Sequence, residues 1–306
     1  MATPQPYTWL DGKIIDSSDA KFSLLTHALH YGFGVFEGIR CYRQASGQGA
    51  VFRLDTHMRR LYESAKILKL EIPYDYESVY AGVLDVLKAN KLSEAYIRPI
   101  AWLGEGEMGV GAFNNTVHVA ISVWVWGAYL GEAGVKNGIR AKISSFNRPH
   151  PNSAMVRGKV TGHYVNSVLA KREAKDVGYD EAILLDHQGF VAEGSGENIF
   201  IVRNNRVITP SLAAPILRGV TRDSVIELAL AEKIEVHEHS FHRDTLYVAD
   251  EAFFTGTAAE ITPIREVDNR EIGVSKNWPI TRLLQTKFRE VVTGVNDKYQ
   301  DWLTPV

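Results

Sequence analysis

A strictly alternating segment constrains the fold of the first half of the chain. Between Thr116 and Trp126, valine or isoleucine occupies every second position. These residues are Val117, Val119, Ile121, Val123 and Val125, with Trp124 and Trp126 among the positions between them. A period of two places the two sets on opposite faces of a β-strand. The segment therefore predicts a central strand of the first half.

The patterns around this strand predict a mixture of strands and helices. Residues 7–15 are typical of a hairpin that turns at Asp11-Gly12, and Asp55 has the position of a helix N-cap. Residues 96–102 have a strand pattern in which Pro99 indicates an edge or a bulge. We expect the chain to combine α/β and α+β organisation.

A loop-like segment separates the two halves of the chain. Residues 127–138 lack a regular apolar period, and strand and helix patterns resume beyond them. The predicted organisation is a small N-terminal domain of residues 1–126, an interdomain loop of residues 127–138 and a larger domain of residues 139–306. A chain of 306 residues is long enough for two such cores.

Charge and cysteine content narrow the class of protein. The net charge of −2 gives no electrostatic reason to expect nucleic acid or an anionic membrane as a partner. Cys41 is the only cysteine, so an intrachain disulfide is impossible and a reducing compartment is favoured. The first residues lack an apolar signal region, and residues 117–130 are too short to span a bilayer. We expect a cytoplasmic enzyme that acts on small molecules.

A lysine and a carboxylate bracket the segment with the clearest chemistry. Lys159 lies in a glycine-containing turn, Tyr164 follows five residues later, and Glu193 begins a glycine-flanked turn. A buried lysine can lose its charge and condense with a carbonyl compound. A carboxylate facing a pyridine nitrogen keeps that nitrogen protonated, as pyridoxal phosphate requires. Taken alone, Lys159 and Glu193 are also compatible with ordinary surface turns.

Several other positions are suited to binding anions. Tyr96 and Arg98 share one face of a predicted strand, where they form a plausible carboxylate clamp. Val220 and Thr221 start a predicted helix, whose free amides suit a phosphate, although an ordinary N-cap explains the same pattern. Arg59 lies beside an apolar helical stripe and either reaches inward to an anion or lies along the surface. No metal site is expected, because His237 and its neighbouring histidines lack supporting ligands.

Seven separated motifs, in order, resemble the class IV aminotransferases that depend on pyridoxal phosphate, and within them the branched-chain amino acid aminotransferases. The motifs are HALHYGFGVFEGIR, AYIRPI, VWVWGAYLG, the Lys159–Tyr164 segment, EGSGENIF, LRGVTRD and TGTAAEITPI. The resemblance covers essentially the whole chain. It implies the two-domain fold type IV, in which the larger domain has a β-barrel-like sheet core. It also implies transfer of the amino group between leucine, isoleucine or valine and 2-oxoglutarate, in ping-pong half-reactions.

The resemblance implies a role for each matching residue. Lys159 would hold the cofactor as a Schiff base, Glu193 would pair with its ring nitrogen, and Tyr164 would donate to its ring oxygen. The implied phosphate-binding residues are Arg59, Val220, Thr221, Gly256 and Thr257, and Leu217 is a further implied cofactor-binding residue. The implied substrate-binding residues are Phe36, Gly38, Tyr96, Arg98, Trp126, Tyr129, Thr257 and Ala258, with Tyr31, Met108 and Val110 supplied by a neighbouring subunit. The protein would thus be at least a homodimer with an active site at the subunit interface.

One residue departs from the family pattern, and rival activities stay open. The family usually has asparagine before the tyrosine, where this chain has His163. The same fold also serves D-amino acid aminotransferases, (R)-amine transaminases and a lyase of the aminodeoxychorismate branch. A non-catalytic protein that kept the fold is a further alternative. Tyr96, Arg98 and the VWVWGAYLG segment favour the branched-chain assignment, because one pocket must accept both an apolar chain and glutamate.

Overall fold

The computed structural model describes residues 5–127, 130–273 and 277–306. The chain divides into two compact units, each assembled from separate segments. The first unit comprises Met1–Trp126, Gly158–His163 and Glu290–Val306; the second comprises Gly127–Arg157 and Tyr164–Arg289. The predicted domains were continuous in sequence. They therefore did not anticipate that residues 158–163 and the last 17 residues belong to the first unit.

An antiparallel sheet of eight strands forms the first unit. Its strands are β1 (Tyr7–Leu10), β2 (Lys13–Asp16), β3 (Gly34–Phe36), β4 (Ile39–Arg43), β5 (Gly49–Phe52), β6 (Ala95–Leu103), β7 (Val117–Trp124) and the last strand of the chain, β17 (Leu303–Pro305). Their order is β17-β5-β4-β6-β7-β1-β2, and β3 also pairs with β6. Because β17 pairs with β5, the end of the chain belongs to this unit. The predicted hairpin is confirmed, since β1 pairs with β2 around Asp11 and Gly12.

Two of the helices of the first unit pack against one face of this sheet. The helices of the first unit are α1 (His27–Tyr31), α2 (Leu54–Leu68) and α3 (Tyr76–Ala89), with 3-10 turns at Ser17–Asp19, Thr161–His163 and Asp297–Trp302. The core that α2 and α3 share with the sheet includes Met58, Leu61, Val83, Ile97 and Ile121. The predicted alternation of β7 is confirmed up to Trp124, where the strand ends. Its extension to Val125 is wrong, because that side chain lies beyond the strand and is exposed.

Pro99 lies in an interior strand, and the prediction that it marks an edge or a bulge is wrong. Strand β6 pairs with β4 through Ile97 and with β3 through Ile100. Between these pairs the neighbouring chain breaks at Glu37, whose N–H donates to the Pro99 carbonyl at 2.8 Å. The missing N–H of proline therefore falls where no strand is present to accept it. The same break places Glu37 beside β6.

A largely closed sheet forms the second unit. Its strands are β8 (Ile139–Ile143), β9 (Glu181–Leu185), β10 (Val191–Gly194), β11 (Asn198–Arg203), β12 (Arg206–Thr209), β13 (Val236–Glu238), β14 (Glu251–Gly256), β15 (Glu260–Val267) and β16 (Arg270–Glu271). Six of them pair in the order β10-β9-β8-β15-β14-β11, and a further β10–β11 pairing closes the ring. Its core includes Ile183, Ile199, Ile201 and Phe254. The predicted barrel-like core of the larger domain is confirmed.

Five helices accompany this barrel-like sheet, namely α4 (Glu132–Asn137), α5 (Tyr164–Asp176), α6 (Val220–Ala231), α7 (Arg243–Tyr247) and α8 (Pro279–Val292). Helix α5 begins at Tyr164, and most of its larger apolar side chains face outward. Val165 and Val168 are exposed, whereas Ala170 and Ala174 are buried. Among the described residues, no helix has the length and apolar character needed to cross a membrane.

Candidate active site

Lys159 lies in the first unit, where backbone contacts fix its position. Its N–H donates to Ser64 Oγ on α2 at 3.0 Å, and its carbonyl accepts from the Phe36 N–H on β3 at 3.1 Å. The next residue, Val160, forms an antiparallel bridge with Val35. The Lys159 Nζ atom lies 4.9 Å from the centre of the Phe36 ring. The lysine therefore stands beside a predicted wall residue of the substrate pocket.

Tyr96 and Arg98 share one face of β6, as the alternation predicts. The Arg98 Nη2 atom donates to Tyr96 Oη at 3.3 Å, and Arg98 Cζ lies 4.8 Å from the centre of the Phe36 ring. The Tyr96 ring lies 4.9 Å from that of Trp124 and 5.0 Å from that of Trp126. The face thus presents one guanidinium within a group of aromatic rings.

This face has an unused hydrogen-bond donor for a ligand, and a glycine makes room for its phenol. Arg98 Nε is buried and has no hydrogen-bond partner among the described residues. Gly38 has no room for a side chain, since a Cβ there would lie 2.0 Å from Tyr96 Oη. The glycine therefore allows the phenol to occupy its place. A buried guanidinium with an unused donor is suited to bind a carboxylate.

The Arg59 side chain, predicted to contact the phosphate, lies on the exposed face of α2. Its side chain is 69% exposed and pairs with Asp55 at 2.7 Å. Successive helical residues are rotated by about 100°, so Arg59 lies opposite the face of α2 that includes His57 and Leu61. The sequence pattern, by contrast, predicts Arg59 beside the apolar stripe of the helix. Asp55 is not the N-cap either, because α2 begins at Leu54 after Arg53.

The next residue, Arg60, is the guanidinium that points inward. Its side chain is 11% exposed and contacts Glu37 through two donors, Nε at 2.6 Å and Nη2 at 2.9 Å. His57 Nδ1 lies 2.7 Å from the same carboxylate. These three residues were not predicted from the sequence. The available signal was a carboxylate, Glu37, between the predicted pocket residues Phe36 and Gly38.

Burial and charge act in opposite directions on this group of three residues. Burial alone would raise the pKa of Glu37, but the charge of Arg60 and the hydrogen bond from His57 outweigh it and hold that pKa well below its usual range. Burial also lowers the pKa of His57. We therefore take Glu37 as ionised and His57 as neutral, with its Nδ1–H donating to the carboxylate. Arg60 then supplies the positive charge of the pair.

In the second unit, Glu193 is fixed by three partners. Its Oε1 atom lies 2.9 Å from Arg148 Nε, and both side chains are buried. Its Oε2 atom accepts from Asn198 Nδ2 and from the Leu217 N–H, each at 3.1 Å. Glu193 also pairs with Asn198 across β10 and β11. Arg148 and Asn198 were not predicted from the sequence as partners of Glu193.

The start of α6 offers backbone donors close to this carboxylate. Asn198 Nδ2, which bonds Glu193, also donates to the Leu217 carbonyl at 2.9 Å. The N-cap residue Gly219 makes no side-chain cap, and a Cβ there would lie 2.0 Å from Asn198 Oδ1. The first helical residues, Val220 and Thr221, are buried. Their free amides are suited to bind an anion.

A second group of donors lies at the end of β14. Thr255 pairs with Asn198 in the sheet, so the following Gly256 and Thr257 lie at the same end of the strands as Glu193. Thr255 Oγ1 is buried and has no hydrogen-bond partner among the described residues. Within the second unit, the structure thus brings together the carboxylate, the start of α6 and the turn after β14.

The remaining predicted site residues differ in what the structure shows. Tyr164 begins α5, and Ala258 follows Thr257 in a half-buried turn. The side chains predicted to reach a neighbouring subunit, Tyr31, Met108 and Val110, are 46%, 43% and 87% exposed. Tyr129 lies outside the described residues. Within the described part of the chain, no group of three or more His, Cys, Asp or Glu residues could hold a metal ion.

Comparisons with known proteins relate this chain to one family of enzymes over most of its length. The family model described as amino-transferase class IV matches residues 34–267. The branched-chain-amino-acid aminotransferase of Pseudomonas aeruginosa is 45% identical over 306 residues, which cover 100% of this chain and 99% of that protein.

Solved structures show the same similarity. The branched-chain aminotransferase of Thermoproteus uzoniensis, solved with norvaline, is 44% identical with a TM-score of 0.93, covering 98% of this chain and 99% of the other. The branched-chain amino acid aminotransferase of Thermobaculum terrenum, solved in its PLP-form, is 36% identical with a TM-score of 0.92, covering 99% of this chain and 98% of the other.

Proposed function

The chain belongs to the class IV aminotransferases, and from this premise we propose that it transfers amino groups between branched-chain L-amino acids and 2-oxoglutarate. The observation that carries the substrate assignment is the face formed by Tyr96 and Arg98. Aromatic rings around one guanidinium suit an apolar side chain in one half-reaction and the second carboxylate of glutamate in the other.

The residues present fit pyridoxal phosphate as the cofactor. The start of α6 offers uncapped amides and the buried Thr255 Oγ1 offers an unused hydroxyl, which together suit a phosphate group. The buried carboxylate of Glu193 suits a protonated ring nitrogen. When bound, this cofactor supplies an electron sink for bonds at the substrate's α-carbon.

Each residue then has a proposed task. The Lys159 amine attaches the cofactor and moves the proton at the α-carbon. Glu193, held by Arg148, keeps the ring nitrogen protonated, and Tyr164 donates to the ring oxygen. For the phosphate, the placement of the side chains favours Arg60 over Arg59 as the guanidinium. The other proposed phosphate contacts are Val220, Thr221, Gly256 and Thr257, and Leu217 is a further proposed cofactor-binding residue.

The substrate contacts follow the same division between polar and apolar groups. Tyr96 and the amides of Thr257 and Ala258 bind the α-carboxylate, and Arg98 binds the side-chain carboxylate of glutamate. The pocket walls are Phe36, Gly38, Trp126 and Tyr129, with Tyr31, Met108 and Val110 contributed by a second copy of the chain. The chemical reason is that leucine, isoleucine and valine need an apolar wall, whereas glutamate needs one charge partner within it.

We further propose a homodimer or a larger homo-oligomer. Large apolar side chains are exposed along residues 22–31 and 108–113 and along α5, and a single chain gains nothing from this exposure. A second copy is the proposed cover. We also propose a cytoplasmic location, in keeping with a single, buried cysteine. The functional division into domains of residues 1–126 and 139–306, with a loop of residues 127–138, likewise stands as a proposal.

An absorption spectrum of the purified protein, recorded before and after leucine is added, tests the function. We expect a yellow protein whose visible band falls as a pyridoxamine band rises. A band that leucine leaves unchanged but D-alanine or an (R)-amine bleaches would replace the substrate assignment. A protein that stays colourless after incubation with pyridoxal phosphate would refute its assignment as an enzyme that uses this cofactor.

Replacing the lysine gives a matched test of the chemistry. Lys159→Ala should abolish transamination while the far-ultraviolet circular dichroism spectrum stays that of the wild type, because the backbone contacts of residue 159 do not involve its side chain. Lys142→Ala, a change of the same kind on β8, is the control and should keep turnover. Turnover by Lys159→Ala at the wild-type rate would contradict the proposed role.

A further inference from the structure

Glu197 is a buried carboxyl group to which the proposed function gives no task. It closes the turn between β10 and β11 and is 5% exposed. Its carbonyl accepts from the Gly194 N–H at 2.7 Å, and its Oε2 atom accepts from the Gly196 N–H at 3.0 Å. A Cβ on Gly194 would lie 2.8 Å from that Oε2. The side chain therefore packs into the turn that directly follows Glu193.

The same side chain also lies against the turn after β14. A Cβ on Gly256 would lie 3.5 Å from Glu197 Cγ and 3.8 Å from its Cα. Glu193 is the proposed partner of the cofactor ring, and Gly256 begins the proposed phosphate turn. Glu197 is thus in contact with both segments that are proposed to hold the two ends of one small molecule.

The surroundings of Glu197 are rich in negative charge. Glu181 on β9 is fully buried, accepts from Ser195 Oγ at 2.6 Å and pairs with Lys171 of α5. Burial, together with the charge of Glu181 and a smaller contribution from Glu193, raises the pKa of Glu197 to about 8, while Lys171 opposes that rise. An ionised Glu197 would place a third negative charge among buried groups, which is costly.

We propose that Glu197 is a positioning residue that joins the ring-binding turn to the phosphate-binding turn, and that its carboxyl group does so in the uncharged form. This inference rests on the proposed cofactor site. The uncharged acid keeps the acceptor that Gly196 needs and adds no repulsion against Glu193 or Glu181. Glutamine reproduces its shape and neutrality, whereas alanine removes the contact with both turns.

The test uses two variants of Glu197 and two of a matched buried glutamate. Glu251 lies at the other end of β14 and accepts from the Ile280 and Thr281 N–H groups at the start of α8, so it holds structure without touching either turn. Two measurements are made on Glu197→Gln, Glu197→Ala, Glu251→Gln, Glu251→Ala and the wild type. One is the dissociation constant of pyridoxal phosphate from the apoprotein. The other is the midpoint of thermal unfolding of the apoprotein between about pH 5 and about pH 9, which brackets the pKa of about 8.

For cofactor binding, we expect Glu197→Ala to weaken the affinity about tenfold, the equivalent of about one hydrogen bond. Glu197→Gln should restore it to near the wild-type value. Glu251→Ala should lower the midpoint of thermal unfolding, but it should not reduce the affinity for the cofactor tenfold as Glu197→Ala does. Equal losses in Glu197→Gln and Glu197→Ala would overturn the proposal, and so would an unchanged affinity in both.

For the protonation state, the folded pKa of Glu197 lies above its usual 4.5, so folded chains hold a proton that unfolded chains release. Wild-type stability from this group is complete below about pH 4.5 and is lost as the pH rises through about 8. The midpoint of Glu197→Gln should therefore exceed that of the wild type by an amount that grows over this range, and Glu251→Gln should show no such growth. If the difference in midpoint between Glu197→Gln and the wild type stays constant over this pH range, the proposal that Glu197 is uncharged is wrong.

The outcomes separate this inference from the proposed function. If the wild type does not bind pyridoxal phosphate at all, both the proposed function and the positioning role fail. If the wild type binds it and the Glu197 variants do not differ, only the positioning role fails. The unfolding series needs no cofactor, so it tests the protonation state in either case.

Discussion

Two buried carboxyl groups, one in each unit, show opposite responses to the same burial. Glu37 is fully buried in the first unit, where Arg60 and His57 contact it and hold its pKa well below the usual range. Glu197 is buried in the second unit, where Glu181 is its strongest charged neighbour and its pKa rises to about 8. Burial favours the uncharged form at both sites. At Glu197 burial is the largest cause of the raised pKa and Glu181 adds to it, whereas at Glu37 the contacts with Arg60 and His57 outweigh burial.

The comparison also shows how the two units prepare different chemistry. In the first unit an ionised carboxylate orients a guanidinium, Arg60, through two donors. In the second unit Arg148 contacts the carboxylate of Glu193, and Glu197, which we propose is uncharged, follows it four residues later. One arrangement fixes a cation, and the other avoids adding a further negative charge beside Glu193 and Glu181.

The largest expected effect comes from breaking the first arrangement. Glu37→Ala leaves the buried Arg60 without its carboxylate, so we expect a loss of about 3–5 kcal/mol in the free energy of unfolding. Glu63→Ala changes an exposed residue of α2 and should cost no more than about 0.5 kcal/mol. Urea unfolding of both variants measures the difference. Similar losses would mean that the Glu37 contacts contribute little.

The neighbouring arginines of α2, Arg59 and Arg60, should differ in their effect on cofactor affinity, and this effect is the second largest. Arg60→Ala should weaken cofactor binding about 10- to 100-fold, the range expected for losing a charge-assisted contact of about 1.5–3 kcal/mol. Arg59→Ala removes only an exposed pair with Asp55 and should leave the dissociation constant near that of the wild type. Spectroscopic titration of the two apoproteins with pyridoxal phosphate measures both values. The reverse ranking would return the phosphate contact to Arg59, as the sequence suggested.

The choice between these two arginines shows where sequence reasoning reaches its limit. The strand β7, the hairpin of β1 and β2, and the shared face of Tyr96 and Arg98 were predicted correctly, because a period of two is a local property. The direction of Arg59 depends on the phase of α2 against the sheet, and a shift of one residue rotates it by about 100°.

Long-range partners were beyond the sequence for a related reason. Arg148 pairs with Glu193 across 45 positions, and Arg60 pairs with Glu37 across 23. No periodic pattern in one chain states which distant charges meet. The barrel-like sheet depends on pairing of the same kind, for example between β8 and β15, where Ile139 lies opposite Ile264. It was expected only because the motifs resemble a family.

A third prediction concerns Arg98, whose buried Nε has no hydrogen-bond partner among the described residues. Arg98→Ala should reduce kcat/KM for glutamate about tenfold more than for leucine, because only glutamate has a side-chain carboxylate for it to bind. The half-reactions can be followed separately by the loss of the cofactor's visible band. Equal losses for the two amino acids would contradict this role. Arg98→Lys, which keeps the charge but not the fork of donors, should recover part of the glutamate activity.

The smallest expected effect tests the comparison of the two carboxyl groups directly. Glu37 has a folded pKa below its usual 4.5, so its contribution to stability is present above about pH 4.5 and is lost as the pH falls below it. Glu197 has the opposite shift, so its stabilising proton is lost as the pH rises from about 4.5 through about 8. The stability advantage of the wild type over Glu37→Gln should therefore shrink with acid, whereas the advantage of Glu197→Gln over the wild type should grow with alkali. Thermal unfolding of the three apoproteins over one pH series measures both trends. Titrating groups that do not interact with either carboxyl group cancel in the differences, whereas His57 is coupled to Glu37 and Glu181 to Glu197. If both differences change in the same pH range, the two carboxyl groups do not have opposite charge states.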